Sequence, residues 1–281
     1  MNTLPLFAFF RPLRSLVVVL LVLAVAPPAV YAGGGEEFDS YRLRVDAFWF
    51  YSNPSGSFQG TSEANSIDIG KDLNFISYST FSGTVDWRFT RKNHFYVVGS
   101  SFDQTRQVVL QRTIVFQGQT FNVGLTAKGN LSAPLIAPGY QYDIIRRRRG
   151  HLGIAIQADL FNSHASISSE AQEVNGQAFP AMSARGSLLA PIPVIGPQFR
   201  FYLTNSPRLF VEGNVYGMYL FGYGNFVSTA DSLGFSVNKH FSVNAGYQLG
   251  SRLVVNNDSS NNRIGVRLTQ QGPVVGMEFS F

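Results

Sequence analysis

The sequence has no cysteine among its 281 residues, and only 14% of its residues are charged. No disulfide can therefore hold the fold together, and no cysteine is available to carry a lipid anchor. The four histidines are scattered, and the oxygen-rich stretch NNDSSNN, residues 256–262, lacks the spaced carboxylates of a calcium loop. The sequence thus predicts neither a metal site nor a cofactor.

Long hydrophobic runs are also missing, except at the amino terminus. Two arginines precede an apolar run over residues 16–26, and a small-residue segment follows it and ends at Ala32. This order of charged, apolar and small-residue regions is typical of a secretory signal peptide. The apolar run is about a dozen residues long, whereas a membrane-spanning helix needs about 20. We therefore expect residues 1–32 to be a cleaved signal peptide.

After residue 32 no apolar run is long enough for a transmembrane helix. The formal charge of the whole chain is +5, which is too mild to predict a nucleic-acid partner. Aromatic residues make up 14% of the chain, an unusual share beside so few charges. If the mature chain lies in a membrane, only a closed β-barrel remains, because every backbone group must then be paired.

Segments that alternate between apolar and polar residues recur along the whole chain. In YRLRVDAFWFY, residues 41–51, the odd positions are apolar and include Leu43 and Trp49. The even positions include Arg44 and Asp46. A soluble sandwich also alternates, but its core would reject charges near the strand middles, and aromatics near the strand ends suit a membrane interface. The pattern favours an all-β chain that forms a closed antiparallel transmembrane β-barrel.

Short and long connections alternate between these segments, as periplasmic turns and outer loops do in outer-membrane barrels. This rhythm predicts ten strands within 41–281, with eight as the alternative. The predicted strands are 41–53, 74–90, 94–116, 120–145, 151–163, 191–204, 208–221, 229–237, 240–255 and 263–281. The third and fourth exceed the roughly 9–11 residues that a bilayer needs, so their hairpin should project outside. Residues 33–40 are expected to be a mobile leader, and 164–190 a long external loop.

The last strand has a signature of its own. Apolar residues occupy alternate positions at the carboxyl end: Val275, Met277, Phe279 and Phe281. This ending, MEFSF, together with the segments GYQYD and NAGYQLG and the signal peptide, resembles small outer-membrane β-barrels of the OmpA/OmpW kind. The resemblance implies a place in the outer membrane of a Gram-negative-type bacterium. It also implies that the four terminal apolar residues are the sorting signal read by the barrel-assembly machinery, with membrane lipids as the other partner.

The apolar phase of this strand changes along its length. Ile264, Val266 and Leu268 are apolar at even positions, whereas the carboxyl end is apolar at odd positions. A slip of one residue turns every side chain to the opposite face of a sheet. The sequence therefore predicts a bulge at QQGP, residues 270–273, that resets the face.

If the apolar face meets lipid, the other face lines the lumen. Nine charged residues are predicted there: Arg44, Asp46, Asp86, Arg88, Asp143, Asp159, Arg200, Glu212 and Glu278. Side chains fill the interior of a small barrel, so these residues would form ion pairs that plug it. The alternative is a narrow path for small solutes, in which the excess of acids favours cations. The sequence predicts a structural or a porin-like transport role and leaves the choice open.

Two other functions are weaker alternatives. A lipid- or peptide-acting hydrolase at the outer rim would need His164 as its base, with Ser163, Ser166, Ser168 and Glu170 close by in sequence. A nucleophile needs a base within hydrogen-bond reach and a third group to orient it, and a serine-rich segment supplies such neighbours by chance. No catalytic residue is therefore predicted, and the chain is not expected to be an enzyme. The second alternative is an adhesin that binds a partner through its outer loops.

The other histidines and the basic run RRRR lie at predicted short turns. His94, His151 and His240 each follow or precede lysine or arginine, and RRRR occupies residues 146–149. Basic residues at the edge of a membrane attract lipid phosphates. We therefore expect these turn residues to contact the headgroups of the inner leaflet.

Overall fold

The structure is a computed structural model that describes residues 37–59, 66–205, 208–220, 224–255 and 265–281. The predicted signal peptide lies outside these ranges. Within them, no helix is long and apolar enough to cross a membrane.

All the regular elements of the described chain are β-strands. In chain order they are β1 (Leu43–Gln59), β2 (Ile67–Asp68), β3 (Tyr78–Arg88), β4 (Asn93–Ser100), β5 (Asp103–Val109), β6 (Ile114–Phe116), β7 (Gln119–Phe121), β8 (Thr126–Ser132), β9 (Leu135–Arg147), β10 (Gly150–Ser169), β11 (Gln172–Val174), β12 (Gln177–Phe179), β13 (Met182–Tyr202), β14 (Arg208–Leu220), β15 (Gly224–Ser236), β16 (Phe241–Val255) and β17 (Gly265–Ser280).

Ten of these strands close into an antiparallel barrel. Around the barrel the order is β1, β3, β4, β9, β10, β13, β14, β15, β16 and β17, and β17 pairs with β1 to complete the circle. The prediction of a closed ten-stranded barrel is confirmed. Short connections join β3 to β4, β9 to β10, β13 to β14 and β15 to β16 at one end, where the last strand also finishes. We call this the turn end and the opposite one the loop end.

The outward face carries an apolar belt that stops well before the loop end. On β1 the outward side chains are apolar from Leu43 to Tyr51 and polar from Asn53 to Ser57. On β10 they are apolar over 152–160 and polar beyond it. Each apolar stretch is nine residues long, within the roughly 9–11 that cross a bilayer as a tilted strand. The belt therefore has the height of one membrane.

Beyond the belt, several strands continue as an outer sheet made of β5, β8 and the far halves of β10 and β13. β10 and β13 are 20 and 21 residues long and pair along their whole shared length. The prediction of a loop over 164–190 is wrong, because 164–169 and 182–190 are strand. The predicted projecting hairpin is confirmed: β5 pairs with β8, and β8 pairs with β10 beyond the belt.

Apolar side chains close the loop end from inside, and we call this cluster the outer cap. They come from the end of β1, from 66–77 and from the hairpin 110–125. The fully buried members are Phe58, Ile67, Ile69, Leu73, Leu110, Ile114, Phe116, Phe121 and Leu125. At the tip of this hairpin Gln117 and Gly118 have φ of 51° and 74°. Two consecutive positive φ values are what a tight two-residue hairpin turn requires.

The predicted bulge at 270–273 is wrong. Even-numbered side chains of β17 face inward from Val266 to Ser280, and its pairing with β1 keeps one register past this point. Val266 is inward because the interior is apolar at the outer cap, and Glu278 is inward because the interior is polar near the turn end. The polarity of the lumen changes, and the phase of the strand does not. The irregularity lies in the neighbour β16, between Gln248 and Ser251.

Candidate functional site: the barrel interior

The structure places all nine predicted lumen residues on the inward faces of the barrel strands. Eight of them are buried, and the side chain of Glu212 is 22% exposed. They form two layers between the turn end and the middle of the barrel. A cavity and the outer cap lie above them.

Residues 37–41 enter the barrel at the turn end. Asp39 is buried, and its Oδ2 accepts a hydrogen bond of 2.9 Å from Arg88 Nη2 and lies 2.9 Å from His151 Nδ1. Tyr41 donates its hydroxyl hydrogen to Asp86 Oδ2 at 2.7 Å. Since Arg88 lies on β3 and His151 on β10, the Asp39 carboxylate bridges strands that are not neighbours.

Residues 33–40, which include most of this segment, are predicted from the sequence to be a mobile leader. Residues 33–36 lie outside the described ranges, but Glu37 pairs with Arg91 at 2.5 Å and with Arg146 at 2.9 Å. The amide of Phe38 donates to the carbonyl of Arg148 at 2.9 Å. Residues 37–40 are thus held by the barrel, because their acids meet the basic groups of the turn end.

Two turn histidines lie inside the barrel. His94 Nε2 is 3.1 Å from Asp143 Oδ2, and its Nδ1 is 3.3 Å from both carboxylate oxygens of Asp86. The side chain of Arg146 pairs with Asp143 at 2.8 Å. The expectation that His94, His151 and Arg146 contact lipid phosphates is therefore wrong. Alternation points His94 and His151 inward, and a register shift in β9 between Asp143 and Ile145 brings Arg146 inward as well, where carboxylates compensate all three.

The second layer of ion pairs crosses the lumen. Arg200 on β13 binds both oxygens of Glu278 on β17, at 2.5 and 3.0 Å, although three strands separate β13 from β17. Glu212 lies 3.5 Å from the same guanidinium. On the other side, Arg44 lies 3.3 Å from Asp86 and 3.4 Å from Asp46. A bidentate pair fixes its geometry strongly, so Arg200 and Glu278 act as a crossbar.

A cavity of about 270 Å³ lies between this layer and the outer cap. Its floor includes Arg44, Asp46 and Arg200. Its middle carries polar side chains, where Tyr216 donates to Gln198 Oε1 at 2.7 Å. Its upper wall is aromatic and aliphatic, with Phe50, Phe102, Phe161, Phe226 and Leu268.

Asp72 and Arg112 pair outside the barrel strands, beside the outer cap. Arg112 donates to both oxygens of Asp72, at 2.8 and 2.5 Å. Burial by itself would raise the pKa of Asp72, but the hydrogen bonds and charge of Arg112 outweigh it and hold the pKa below its usual value. This pair ties the segment after β2 to the hairpin that follows β5.

The geometry for hydrolysis is poor at the outer rim. His164 is exposed on the outward face of β10, whereas Ser163 is buried on the inward face. Within the described chain, no hydrogen bond links His164 to a serine or a carboxylate, and no group of three or more His, Asp or Glu is arranged to hold a metal ion.

The residues predicted as an assembly signal lie on the outward face of β17 and at the terminus, between 42% and 65% exposed: Val275, Met277, Phe279 and Phe281.

Sequence reasoning missed Asp39, Tyr41, His94 and His151. The strand alternation already indicates that His94 and His151 point inward, because each lies an even number of positions from a predicted lumen residue on its own strand or hairpin partner. Asp39 precedes the first predicted strand, so no alternation applied to it. Tyr41 is the first residue of that predicted strand, and its odd position grouped it with the outward apolar face, whereas the structure buries it beside Asp86. The acidic and aromatic character of EEFDSY, next to a barrel end lined with arginine, was the available signal.

No known protein family matches the chain, and no curated protein matches it. Among solved structures, the outer membrane protease OmpT from Escherichia coli is similar at 12% identity, with 85% of this chain and 96% of that chain covered and a TM-score of 0.51. The attachment invasion locus protein Ail of Yersinia pestis has 11% identity over 84% of this chain and 99% of that chain, with a TM-score of 0.32. The toluene transporter TodX of Pseudomonas putida has 8% identity over 89% of this chain and 95% of that chain, with a TM-score of 0.36. The likeness to OmpT shows that the chain has the fold of a small outer-membrane β-barrel.

Proposed function

We propose that this chain is an outer-membrane protein whose lumen is held shut, so that it serves a structural role and not that of a steady pore. The apolar belt would lie in the hydrocarbon layer, with lipids as its partners. Short turns face the periplasm and longer connections face outward in barrels of this kind. The turn end would then be periplasmic, and the outer sheet would project from the cell.

The observation that carries this proposal is the Arg200–Glu278 crossbar. It joins strands on distant sides of the barrel, and both side chains are buried. Breaking a buried ion pair by losing one partner costs about 3–5 kcal/mol. Opening the lumen at this layer would separate the two buried charges, so we expect it to be rare.

Two further barriers lie in series with the crossbar. The Asp39 bridge and the rest of 37–41 cover the turn end, and the outer cap covers the loop end with apolar side chains. Small ions and sugars need a continuous wet path to cross a barrel. A solute would have to displace all three barriers, which favours the structural role over the porin-like one.

Vesicle swelling tests this proposal. Vesicles that contain the mature chain are diluted into a solution of a neutral pentose, and swelling is followed by light scattering. We expect a rate no higher than that of protein-free vesicles, while a heat-dependent shift in gel mobility shows that the barrel is folded. Swelling that increases in proportion to the protein content would contradict the proposal.

One observation favours a second role, binding of an outside partner. The outer sheet extends strands β10 and β13 well past the apolar belt and ends in the hairpin of β11 and β12. In this role the hairpin would contact a macromolecule outside the cell, and cells that display the chain would adhere to surfaces that carry it. A variant in which residues 170–181 are replaced by a two-residue turn would keep the folded barrel and lose adhesion. Equal adhesion of both chains would remove this role for the hairpin.

A further inference from the structure

The cavity inside the barrel has two kinds of wall. Its floor and middle carry charged and hydrogen-bonding groups, whereas its upper wall carries aromatic and aliphatic side chains. Its volume of about 270 Å³ is close to the lower end of the roughly 300–1,000 Å³ range of small-molecule pockets. Enclosed sites with an apolar wall and a few convergent polar groups are the usual form of small-molecule sites.

The inward charges that line this cavity do not balance. Five carboxylates line it beside two guanidinium groups and one imidazole: Asp46, Asp86, Asp159, Glu212 and Asp231 with Arg44, Arg200 and His151. The imidazole is already held by Asp39 outside the cavity, and Arg200 is held by Glu278. The lining therefore has an excess of negative charge.

Asp159 carries this excess. It is 2% exposed, and its Oδ1 accepts a hydrogen bond from the side-chain amide of Gln157. No lysine, arginine or histidine of the described chain comes within ion-pair distance of it. A buried carboxylate without a counter-ion is costly. A cation in the cavity would remove that cost.

The floor supplies a second, separate observation. Asp46 is 7% exposed, and its Oδ1 is buried without a hydrogen-bond partner. An acceptor of this kind needs a donor from whatever occupies the cavity. Arg44 Nη1, on the same floor, is a buried donor without a partner, and an ordered water or an acceptor on the ligand would satisfy it.

The upper wall of the cavity indicates that the ligand also has an apolar part. Phe161 and Phe226 have ring centroids 5.9 Å apart, and Phe161 follows Asp159 by two positions on the inward face of β10. An aromatic or aliphatic body would pack there while its charged group lies lower. The carboxylate and the rings thus suit opposite ends of one small molecule.

We infer that this cavity binds a small organic cation, a primary ammonium attached to an apolar body, with Asp159 as its counter-ion. This site goes beyond the structural role and does not depend on it. The Asp159 carboxylate accepts hydrogen bonds from the ammonium, and the upper aromatic wall holds the hydrocarbon part.

Calorimetric titration of the purified full chain in detergent tests the site. The probe is phenethylammonium, compared with the isosteric 2-phenylethanol and with phenylacetate, each against a micelle blank and after long incubation because the outer cap closes the cavity. Hydrogen bonds to a charged group contribute about 1.5–3 kcal/mol, which is roughly tenfold or more in affinity. We expect the ammonium to bind at least tenfold more tightly than the alcohol, and phenylacetate not to bind.

A pair of variants completes the test. Asp159→Asn should weaken phenethylammonium binding at least tenfold, and Asp103→Asn, which changes an exposed carboxylate on the outer sheet, should leave it unchanged. If Asp159→Asn fails to fold, the ligand series on the unaltered chain still decides. Equal affinity for ammonium and alcohol, equal affinity of Asp159→Asn and the unaltered chain, or no heat above the micelle blank would each overturn the inference.

Discussion

At the scale of single residues, the interior depends on charges that compensate one another across the lumen. The crossbar of Arg200 and Glu278 is buried, whereas the pair of Arg91 and Glu37 lies at the rim with the arginine side chain 72% exposed. Buried pairs leave an uncompensated charge when one member is removed, while exposed pairs contribute little. The two pairs should therefore respond very differently to neutral substitutions.

Neutralising the crossbar should destabilise the barrel. We expect Glu278→Gln to lower the free energy of unfolding by about 3 kcal/mol, near the low end for a buried pair because Glu212 stays close to Arg200. Arg91→Gln should change it by less than about 1 kcal/mol. Denaturant unfolding in micelles, followed by tryptophan fluorescence, measures both. Equal small effects of the two substitutions would contradict the assigned role of the crossbar.

The pair of Asp72 and Arg112 gives the outer cap a pH dependence of known sign. Because the folded-state pKa of Asp72 is lowered, its ion pair stabilises the cap at pH values above the unfolded pKa of about 3.9. That stabilisation is lost as the pH falls through the lowered pKa. Amide protection at 67–75, corrected for intrinsic exchange, should therefore hold from neutral pH to about pH 4 and fall below it.

The contrary result for this pair is also defined. Protection that stays constant or increases as the pH falls below about 4 would mean that Asp72 titrates at or above its ordinary pKa. Arg112→Gln supplies the control, because without the guanidinium the pKa of Asp72 should rise toward or above its unfolded value, so the fall in protection below about pH 4 should shrink or disappear.

At the scale of strands, alternation predicted more than any single motif. It gave ten strands, the projecting hairpin and the inward direction of nine charged residues. It failed above the belt, where the interior is apolar and the outer surface is polar. There the apolar Val266 was assigned to the lipid face, which required a bulge in β17, and the polar stretch within 164–190 was assigned to a loop. The alternation of apolar and polar residues does indicate strands there, but it does not indicate that the apolar face turns toward the interior.

Partnerships inside the barrel could not be predicted from the sequence. Arg200 and Glu278 are 78 positions apart and belong to strands that are not neighbours. Which inward side chains meet depends on barrel diameter, tilt and register, and these come from the closed structure. Asp39 was missed for a related reason, since it reaches its partners from outside any strand.

The outer cap should open when its hairpin loses a buried ring. Phe121→Ala removes a fully buried side chain, and such truncations cost about 3–5 kcal/mol. Val123→Ala, in the same hairpin, alters a side chain that is 55% exposed and should have little effect. We expect Phe121→Ala alone to make 110–125 sensitive to limited proteolysis while the folded barrel persists. Equal sensitivity of both variants would argue against a packed cap.

At the scale of the whole molecule, one closed barrel carries two opposite gradients of polarity. Its outside is apolar in the belt and polar beyond it, and its inside is polar near the turn end and apolar at the outer cap. The belt suits a membrane, and the interior suits a lumen blocked at three levels. The cavity between these barriers is compatible with binding a small molecule and does not by itself provide a path through the barrel.

Single-channel recording in planar lipid bilayers tests the closed lumen most directly. We predict that the folded mature chain inserts and gives no conductance steps of reproducible size at physiological salt. Steps of uniform size that change when Asp86 or Glu212 is neutralised would contradict the account, since they would show that ions pass the layer that the crossbar is proposed to close.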